Sequence, residues 1–234
     1  MTTAAVFGCT GLVGGHILAT VLAHDAFASV YTISRRQPKA GESSPKLHAT
    51  VEADSAKWAS ELSALSPFPS TVFSGLGTTR ADAGGIANQW KIDHDLNVEV
   101  AEAAKAGGAK TFVFISSAGT RGLLSGSVPY SKMKVGVEDK VKELGFDQAI
   151  IVRPGLILGD REKSKPGGWF FNSLAHGLGS IARVLQDSWA VEGEYIAKAA
   201  VHAALLADQG KAPSKYWVLE QKDIIRLGRD EWKA

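Results

Sequence analysis

The amino-acid sequence predicts an α/β fold built on a doubly wound parallel sheet, and two observations carry this prediction. Short apolar segments alternate with amphipathic segments of helical length from the N-terminus to Val152. Such alternation gives parallel strands that are joined by right-handed helical crossovers. The apolar segments are also continuous, without a polar residue at every second position, as expected of strands that are buried on both faces.

Six strands are predicted in this region, because the apolar segments are rich in β-branched and aromatic residues. They are Ala4–Phe7, Ser29–Ser34, His48–Ala53, Thr71–Phe73, Thr111–Ile115 and Ala149–Val152. The helical spacing of apolar residues predicts the helices between them. These cover residues 12 to about 27, a segment around residues 58–65 that ends before two prolines, residues 92–106 and residues 130–144.

The pattern becomes looser after Pro154. Residues 159–194 are rich in Gly, Lys and Trp, Tyr195–Asp208 is an alanine-rich helix, and Tyr216–Leu219 is a candidate for one late strand. The roughly 80 residues that follow the sixth strand are too few for an independent domain. We therefore expect a single domain over residues 1–234, in which residues 156–234 form a small substrate-side cap and C-terminal elements.

The composition disfavours several classes of protein. A formal net charge of +2 over 234 residues disfavours a nucleic-acid binder that relies on bulk charge. The single cysteine, Cys9, excludes an internal disulfide, and six scattered histidines without ligand spacing disfavour a metal site. No apolar run approaches the roughly 20 residues of a membrane-spanning helix. Because the chain starts directly with a strand pattern, we expect no targeting peptide and an intracellular, cytosolic protein.

A glycine-rich turn, Gly8-Cys9-Thr10-Gly11-Leu12-Val13-Gly14, connects the first predicted strand to the first predicted helix. In such a turn the first glycine lets the chain bend, the second lets the backbone approach a pyrophosphate, and the third lets the helix pack closely on the sheet. The helix N-terminus adds free N–H donors and a partial positive charge. The sequence therefore predicts a dinucleotide-binding protein with residues 1–155 as its cofactor-binding core.

The residues after the second strand indicate which dinucleotide binds. A site for NAD usually has Asp or Glu there to bind the ribose hydroxyls. This chain has Arg35 and Arg36 instead, and guanidinium groups suit a 2′-phosphate by charge and by geometry. A solvated basic turn is the alternative. We expect the cofactor to be NADP(H).

Two further predicted turns lie at the carboxyl edge of the sheet, where ligands of doubly wound folds bind. The fourth strand leads into Gly75-Leu76-Gly77, whose small residues permit close approach of a ligand, although a purely structural turn has the same composition. The fifth strand leads into Ser116-Ser117-Ala118-Gly119. The turn after the fourth strand is expected to flank the cofactor.

A YxxxK pattern at Tyr130 and Lys134 follows the fifth strand. Positions i and i+4 share one helix face, which places the lysine ammonium near the tyrosine phenol. A nearby cation favours the phenolate, as a general acid and base near neutral pH requires. Ser117 is positioned by its strand end to hydrogen-bond a substrate carbonyl. We interpret Ser117, Tyr130 and Lys134 as a catalytic set, although each residue alone also fits a structural role.

At these residues the sequence resembles the short-chain dehydrogenase/reductase superfamily in its atypical branch. It looks closest to the Tat-interacting-protein oxidoreductases and their fungal mitochondrial-proteome relatives. The similarity spans residues 8 to about 180 and is carried by GCTGLVG (8–14), SRR (34–36), LGTTRADAGG (76–85), KIDHDLN (91–97), ISSAG (115–119), YSKMK (130–134) and RPGLILGDRE (153–162).

The resemblance implies a Rossmann fold that binds NADPH, with Tyr130 as proton donor and acceptor. It implies the cofactor contacts Thr10, Gly11, Leu12 and Val13 for the pyrophosphate, Arg35 and Arg36 for the 2′-phosphate, Leu76 and Gly77 for the adenosine side, Lys134 for the nicotinamide ribose, and Ile157 and Lys165 near the nicotinamide. Asn97 matches a helix asparagine of the relatives, and both a structural and a catalytic role stay open for its amide.

Two functions remain open at this point. The first is an NADPH-dependent oxidoreductase of the carbonyl-reductase type, acting on a small carbonyl or alcohol substrate. The second is an NADPH-binding regulatory or interaction protein with little turnover. Trp169-Phe170-Phe171 and Trp189 fit a substrate cleft, a subunit contact or the core. Protein partners and a homo-oligomer stay open, and the resemblance implies peripheral association with the outer mitochondrial membrane.

Overall fold

The computed structural model describes residues 2–122, 125–159 and 189–233. In this part of the chain, seven parallel strands form the main sheet and two short strands pair separately. The strands are β1 (Thr2–Phe7), β2 (Phe27–Ser34), β3 (Leu47–Val51), β4 (Thr71–Ser74), β5 (Thr111–Ile115), β6 (Gln148–Val152), β7 (Leu156–Leu158), β8 (Ala190–Glu192) and β9 (Tyr216–Leu219).

The strand order in the main sheet is β3-β2-β1-β4-β5-β6-β9, and every recorded pairing is parallel. The chain runs outward from β1 to β3, returns to place β4 beside β1, and then continues in the other direction. The point where the direction reverses, between β1 and β4, is where doubly wound sheets bind ligands. This confirms the predicted fold class.

The described residues also form seven α-helices. They are α1 (Leu12–Ala23), α2 (Trp58–Ser63), α3 (Ile86–Trp90), α4 (Leu96–Ala106), α5 (Pro129–Leu144), α6 (Gly193–Asp208) and α7 (Gln221–Ile225). Single 3₁₀ turns occur at Ser55–Lys57 and Ser125–Ser127, and π-helical turns at Lys91–Asp95 and Arg226–Asp230.

The two faces of the sheet bury two separate cores. Alternate residues of β1 point to opposite faces, as the pleat requires. Ala4 and Val6 therefore join the core under α1 and α6, whereas Ala5 and Phe7 join the core under α2, α4 and α5. Helices on both faces explain why the strands are apolar throughout.

The predicted elements all exist, with differences at their boundaries. The first helix ends at Ala23, because His24 adopts an extended conformation and Phe27 already pairs with Thr2 at the start of β2. The helix predicted over residues 92–106 begins earlier, at Ile86, and is interrupted by the π-helical turn at 91–95. The candidate late strand is confirmed as β9, and it pairs with β6 at the edge of the main sheet.

Candidate active site

A cleft of about 880 Å³ opens at the carboxyl edge of the sheet, over the ends of β1 and β4. Its walls come from the loops after β1, β2, β4 and β5, from α5 and from β7. Of the residues predicted to bind a cofactor or to act in catalysis, those that line the cleft are Thr10, Gly11, Leu12, Val13, Arg36, Leu76, Gly77, Tyr130, Lys134 and Ile157. The structure thus brings most of the predicted site residues together.

The glycine turn keeps its shape because its first and last glycines leave no room for a side chain. Gly8 has a φ of +76°, and a Cβ there would lie 2.6 Å from the carbonyl carbon of Gly75. A Cβ on Gly14 would overlap the carbonyl oxygen of Gly8. These two residues lie behind the cleft, whereas Gly11 lies in its wall as the N-cap of α1. The free N–H groups at this helix N-terminus suit an anion.

The structure separates the two arginines that were predicted to bind a 2′-phosphate. Arg36 lines the cleft, and its guanidinium donates a hydrogen bond to the Thr10 carbonyl at 3.3 Å. Arg35 is exposed and is absent from the described lining of the cleft. Lys39 and Arg80 add two more cationic side chains to the lining. Arg36 therefore places a positive charge next to the glycine turn.

Tyr130 and Lys134 lie at the start of α5, whose first residue is Pro129. A proline is favourable there because the first helical N–H has no intrahelical acceptor. Tyr130 remains 36% exposed, whereas Lys134 is buried, with its Nζ 3.3 Å from the Ile115 carbonyl and 4.9 Å from the centre of the Phe114 ring. Both residues line the cleft, Tyr130 as a partly exposed side chain and Lys134 as a buried one.

Lys134 forms a buried ion pair that the sequence did not reveal. Its Nζ lies 3.8 Å from Oδ1 of Asp93, which is itself buried and lines the cleft. Burial lowers the pKa of Lys134, and the Asp93 carboxylate opposes this shift. Burial likewise raises the pKa of Asp93, against the effects of Lys134 and of the Thr78 N–H.

The two serines after β5 have different surroundings. Ser116 lines the cleft, but its hydroxyl donates to Oε1 of the buried Glu138 at 2.6 Å. Ser117 is half-buried, its Oγ makes a long 3.5 Å contact with the Ala118 carbonyl, and it is not among the described lining residues. Its predicted contact with a substrate carbonyl therefore stays a prediction.

Glu138 lies one turn beyond Lys134 on α5 and binds two arginines. Arg153 donates to both carboxylate oxygens, at 3.0 and 2.6 Å, and Arg121 Nε donates to Oε2 at 2.9 Å. Although burial raises the pKa of Glu138, the hydrogen bonds from Arg153, Ser116 and Arg121 outweigh this effect and lower it. The network fastens α5 to the ends of β5 and β6.

The side chain of Asn97 holds backbone groups together. Its Nδ2 donates to the carbonyls of Ile92 at 3.0 Å and Asp93 at 3.3 Å, and its Oδ1 accepts a 2.6 Å bond from Ser74. These contacts support the structural alternative for this residue. They also fix the π-helical turn that carries Asp93.

Sequence reasoning missed Asp93 and Glu138. Two clues were present: an acid four residues before Asn97, and an acid four residues after Lys134, on the same helical face. Lys165, which was predicted to lie near the nicotinamide, is outside the described residues. So is Trp169-Phe170-Phe171, for which a cleft, a subunit contact and the core had stayed open. Trp189 is described and is 52% exposed, directly before β8. No described helix is long and apolar enough to cross a membrane.

Comparisons with solved structures identify the same fold in bacterial and yeast proteins. A short chain dehydrogenase/reductase from Saccharomyces cerevisiae has a TM-score of 0.68 at 16% identity, covering 97% of this chain and 100% of that one. UDP-glucuronic acid 4-epimerase from Bacillus cereus, solved in complex with NAD, has a TM-score of 0.64 at 15% identity, covering 99% and 93%. At these identities the similarity shows the fold alone.

Sequence comparisons reach further. Residues 4–173 match the NAD dependent epimerase/dehydratase family. The chain is 60% identical to "Protein fmp52-2, mitochondrial" of Aspergillus terreus, over the full length of both. It is 58% identical to "Protein FMP52, mitochondrial" of Chaetomium globosum, again over both full lengths. The resemblance found in the motifs is confirmed: the chain belongs to the NAD dependent epimerase/dehydratase family of short-chain dehydrogenases/reductases and, within it, to the Fmp52 proteins of fungi.

Proposed function

We propose that the protein is an NADPH-dependent oxidoreductase that reduces carbonyl compounds, with Tyr130, Lys134 and Ser117 as its catalytic residues. One observation carries the proposal. A single cleft is lined at one end by the glycine turn and Arg36, and at the other by Tyr130 and Lys134. Phosphate-binding groups and a proton donor thus share one cavity, at the position in the sheet where dinucleotides bind in this fold.

The residues of the cleft fit a nicotinamide dinucleotide with a 2′-phosphate. Gly11 presents backbone without a side chain at the N-terminus of α1, which suits a pyrophosphate. Arg36 lies at the end of β2, where an acid would bind an unmodified ribose, and Lys39 and Arg80 add positive charge nearby. This donor set favours NADPH over NADH.

The chemistry divides between the cofactor and the chain. A nicotinamide cofactor held by the glycine turn and Arg36 would supply the hydride for the reduction. Tyr130 donates its hydroxyl proton to the carbonyl oxygen, and the Lys134 ammonium one turn away stabilises the phenolate that remains. Ser117 hydrogen-bonds the carbonyl oxygen and orients it towards Tyr130. Ile157 closes the cleft on the side of β7.

Replacing Tyr130 by Phe tests this assignment, because the change removes one hydroxyl and little else. Turnover of any accepted carbonyl compound should fall by about 10²–10⁴, the usual contribution of a general acid. Affinity for NADPH should stay nearly unchanged, since the phosphates bind elsewhere. NADPH oxidation with a panel of carbonyl compounds measures the first, and calorimetric titration the second.

Tyr195→Phe is the matched control, since Tyr195 lies on α6, packs against the core and is not among the described residues that line the cleft. Equal turnover in the Tyr130 variant and the parent would show that Tyr130 is not the acid. If both proteins bind NADPH tightly and neither oxidises it with any carbonyl compound, the protein is instead an NADPH-binding regulatory or interaction protein.

Cofactor preference is tested at the two arginines. The parent should bind NADPH at least about tenfold more tightly than NADH, about 1.4 kcal/mol. Arg36→Ala should remove more of this difference than Arg35→Ala, because Arg36 lines the cleft. Calorimetric titration with NADPH and with NADH gives two affinities for each variant and two for the parent. Equal affinity of the parent for NADPH and NADH contradicts the assignment.

The proposal extends to domain organisation and location. Residues 1–155 act as the cofactor-binding core of a single domain, and residues 156–234 supply the substrate-side cap. The protein acts at mitochondria, peripherally on the outer membrane, as the names of its relatives and the family resemblance suggest. Protease treatment of intact, fractionated mitochondria tests the location.

A further inference from the structure

The surroundings of Lys134 contain a carboxylate that belongs to no part of the YxxxK pattern. Lys134 is only 4% exposed. Its ammonium donates to the carbonyls of Leu76, at 3.5 Å, and Ile115, at 3.3 Å. These neutral groups compensate only part of the cost of burying a full charge. Asp93 Oδ1, 3.8 Å from Nζ, supplies the opposite charge.

The Asp93 carboxylate is held from a second direction. Its Oδ2 accepts a 2.8 Å hydrogen bond from the Thr78 N–H, in the turn after β4. A Cβ on Gly77 would lie 3.4 Å from Asp93 Oδ1 and 3.6 Å from Lys134 Nζ. The carboxylate therefore joins α5 to the turn that lines the cofactor cleft, and the backbone of Gly77 lies next to the ion pair.

The backbone that carries Asp93 is specialised. Asp93 lies in the π-helical turn Lys91–Asp95, and π-helical turns are uncommon and occur frequently at functional sites. Asn97 fixes this turn through its bonds to the Ile92 and Asp93 carbonyls. Asp93 is thus a buried acid on a fixed π-helical turn, and it contacts a lysine of the cleft. This placement indicates a role beyond packing.

We propose that Asp93 is a positioning residue for the catalytic lysine. It holds the Lys134 ammonium in place at the wall of the cleft and keeps that ammonium protonated within a buried site. That Lys134 acts in catalysis rests on the proposed function. The effect of Asp93 on the charge of Lys134 is a property of the unliganded protein. Tyr130 and Glu138 lie four residues before and after Lys134 on the same helix, and the two arginines bound to Glu138 already neutralise that carboxylate.

The test measures the titration of Lys134 directly. In protein labelled with ¹³C at lysine Cε, the Lys134 resonance is assigned by its loss in Lys134→Met, and its chemical shift is followed against pH without cofactor. Asp93→Asn keeps the shape of the side chain and removes its charge. The Lys134 midpoint should fall by about 1–3 pH units, the usual effect of one close opposite charge. Turnover should fall with it, while NADPH affinity changes less.

Asp95→Asn is the matched control, since Asp95 lies in the same π-helical turn, is half-exposed and contacts His94. It should leave the Lys134 midpoint unchanged. An unchanged midpoint in Asp93→Asn, or an equal shift in both variants, overturns the proposal. If Asp93→Asn does not fold, the reciprocal measurement applies: the Asp93 midpoint must rise in Lys134→Met, and an unchanged value overturns the proposal. The midpoints that decide the proposal are measured without turnover, so failure of the reductase assignment is detected separately.

Discussion

Two buried carboxylates beside the cleft, Glu138 and Asp93, are neutralised to different degrees. Glu138 accepts four hydrogen bonds, from two guanidiniums and one hydroxyl, and its pKa lies below the usual range. Asp93 accepts one backbone hydrogen bond and faces one ammonium at 3.8 Å, and burial raises its pKa. Burial is nearly complete at both residues, so the difference comes from their partners.

The comparison shows that the two carboxylates act differently on α5: one fixes the helix, and the other affects the charge of a residue on it. Glu138, the saturated carboxylate in the sense that it accepts four hydrogen bonds, connects α5 to the ends of β5 and β6. Its ionisation is fixed over the neutral range. Asp93 has a single charged partner, so its ionisation and that of Lys134 depend strongly on each other. The first carboxylate fixes the position of the helix, and the second sets the charge of the lysine on it.

The largest effect is expected when the saturated carboxylate is removed. Glu138→Gln should lower the free energy of unfolding by about 3–5 kcal/mol, because it leaves Arg153 without its buried partner. Urea denaturation measures this loss. Asp139→Asn, at the exposed neighbouring residue that also contacts Arg121, should cost less than about 1 kcal/mol. Similar losses in the two variants would mean that burial adds nothing to the Glu138 network.

A smaller effect separates the Asp93–Lys134 pair from a simple packing contact. Asp93→Asn and Lys134→Met each leave the other charge buried without its partner, whereas the double variant removes both charges. The double variant should therefore be more stable than the sum of the single losses by about 1–3 kcal/mol. Urea denaturation of the four proteins gives this interaction energy. Additive losses would show that the two charges do not interact in the folded state.

The sequence could predict the parts of this site that depend on local pattern. The glycine turn, the strand ends and the YxxxK helix each follow from neighbouring residues, and all of them adjoin the cleft. Which of the neighbouring residues Arg35 and Arg36 lines the cleft was beyond such patterns. Consecutive residues at a strand end point in opposite directions, and the twist of the sheet decides which one faces the cleft.

Contacts distant in sequence could not be predicted. Asp93 lies on a π-helical turn that Asn97 holds, Lys134 lies on α5, and no local pattern joins these two distant segments. Glu138 lies on a helix with many charged residues, where an acid usually faces solvent. The register of β9 beside β6 likewise depends on the whole sheet, although its apolar residues indicated a strand.

The smallest effect, and the most specific, is the opposite pH dependence of the two carboxylates. The folded-state pKa of Glu138 is below its ordinary value of 4.5, so its contribution to stability is complete above that value and is lost as the pH falls through the folded-state pKa. The pKa of Asp93 is raised above 3.8 in the folded state, so its contribution is present in acid and is lost as the pH rises through that folded-state pKa. Each unit of separation between folded and unfolded pKa values is worth about 1.4 kcal/mol.

Between about pH 3 and 6, the free energy of unfolding of the parent minus that of Glu138→Gln should therefore increase with pH. The free energy of unfolding of the parent minus that of Asp93→Asn should decrease. Urea denaturation across this range measures both differences, and slopes of the same sign would refute the contrast between a saturated and a singly paired carboxylate.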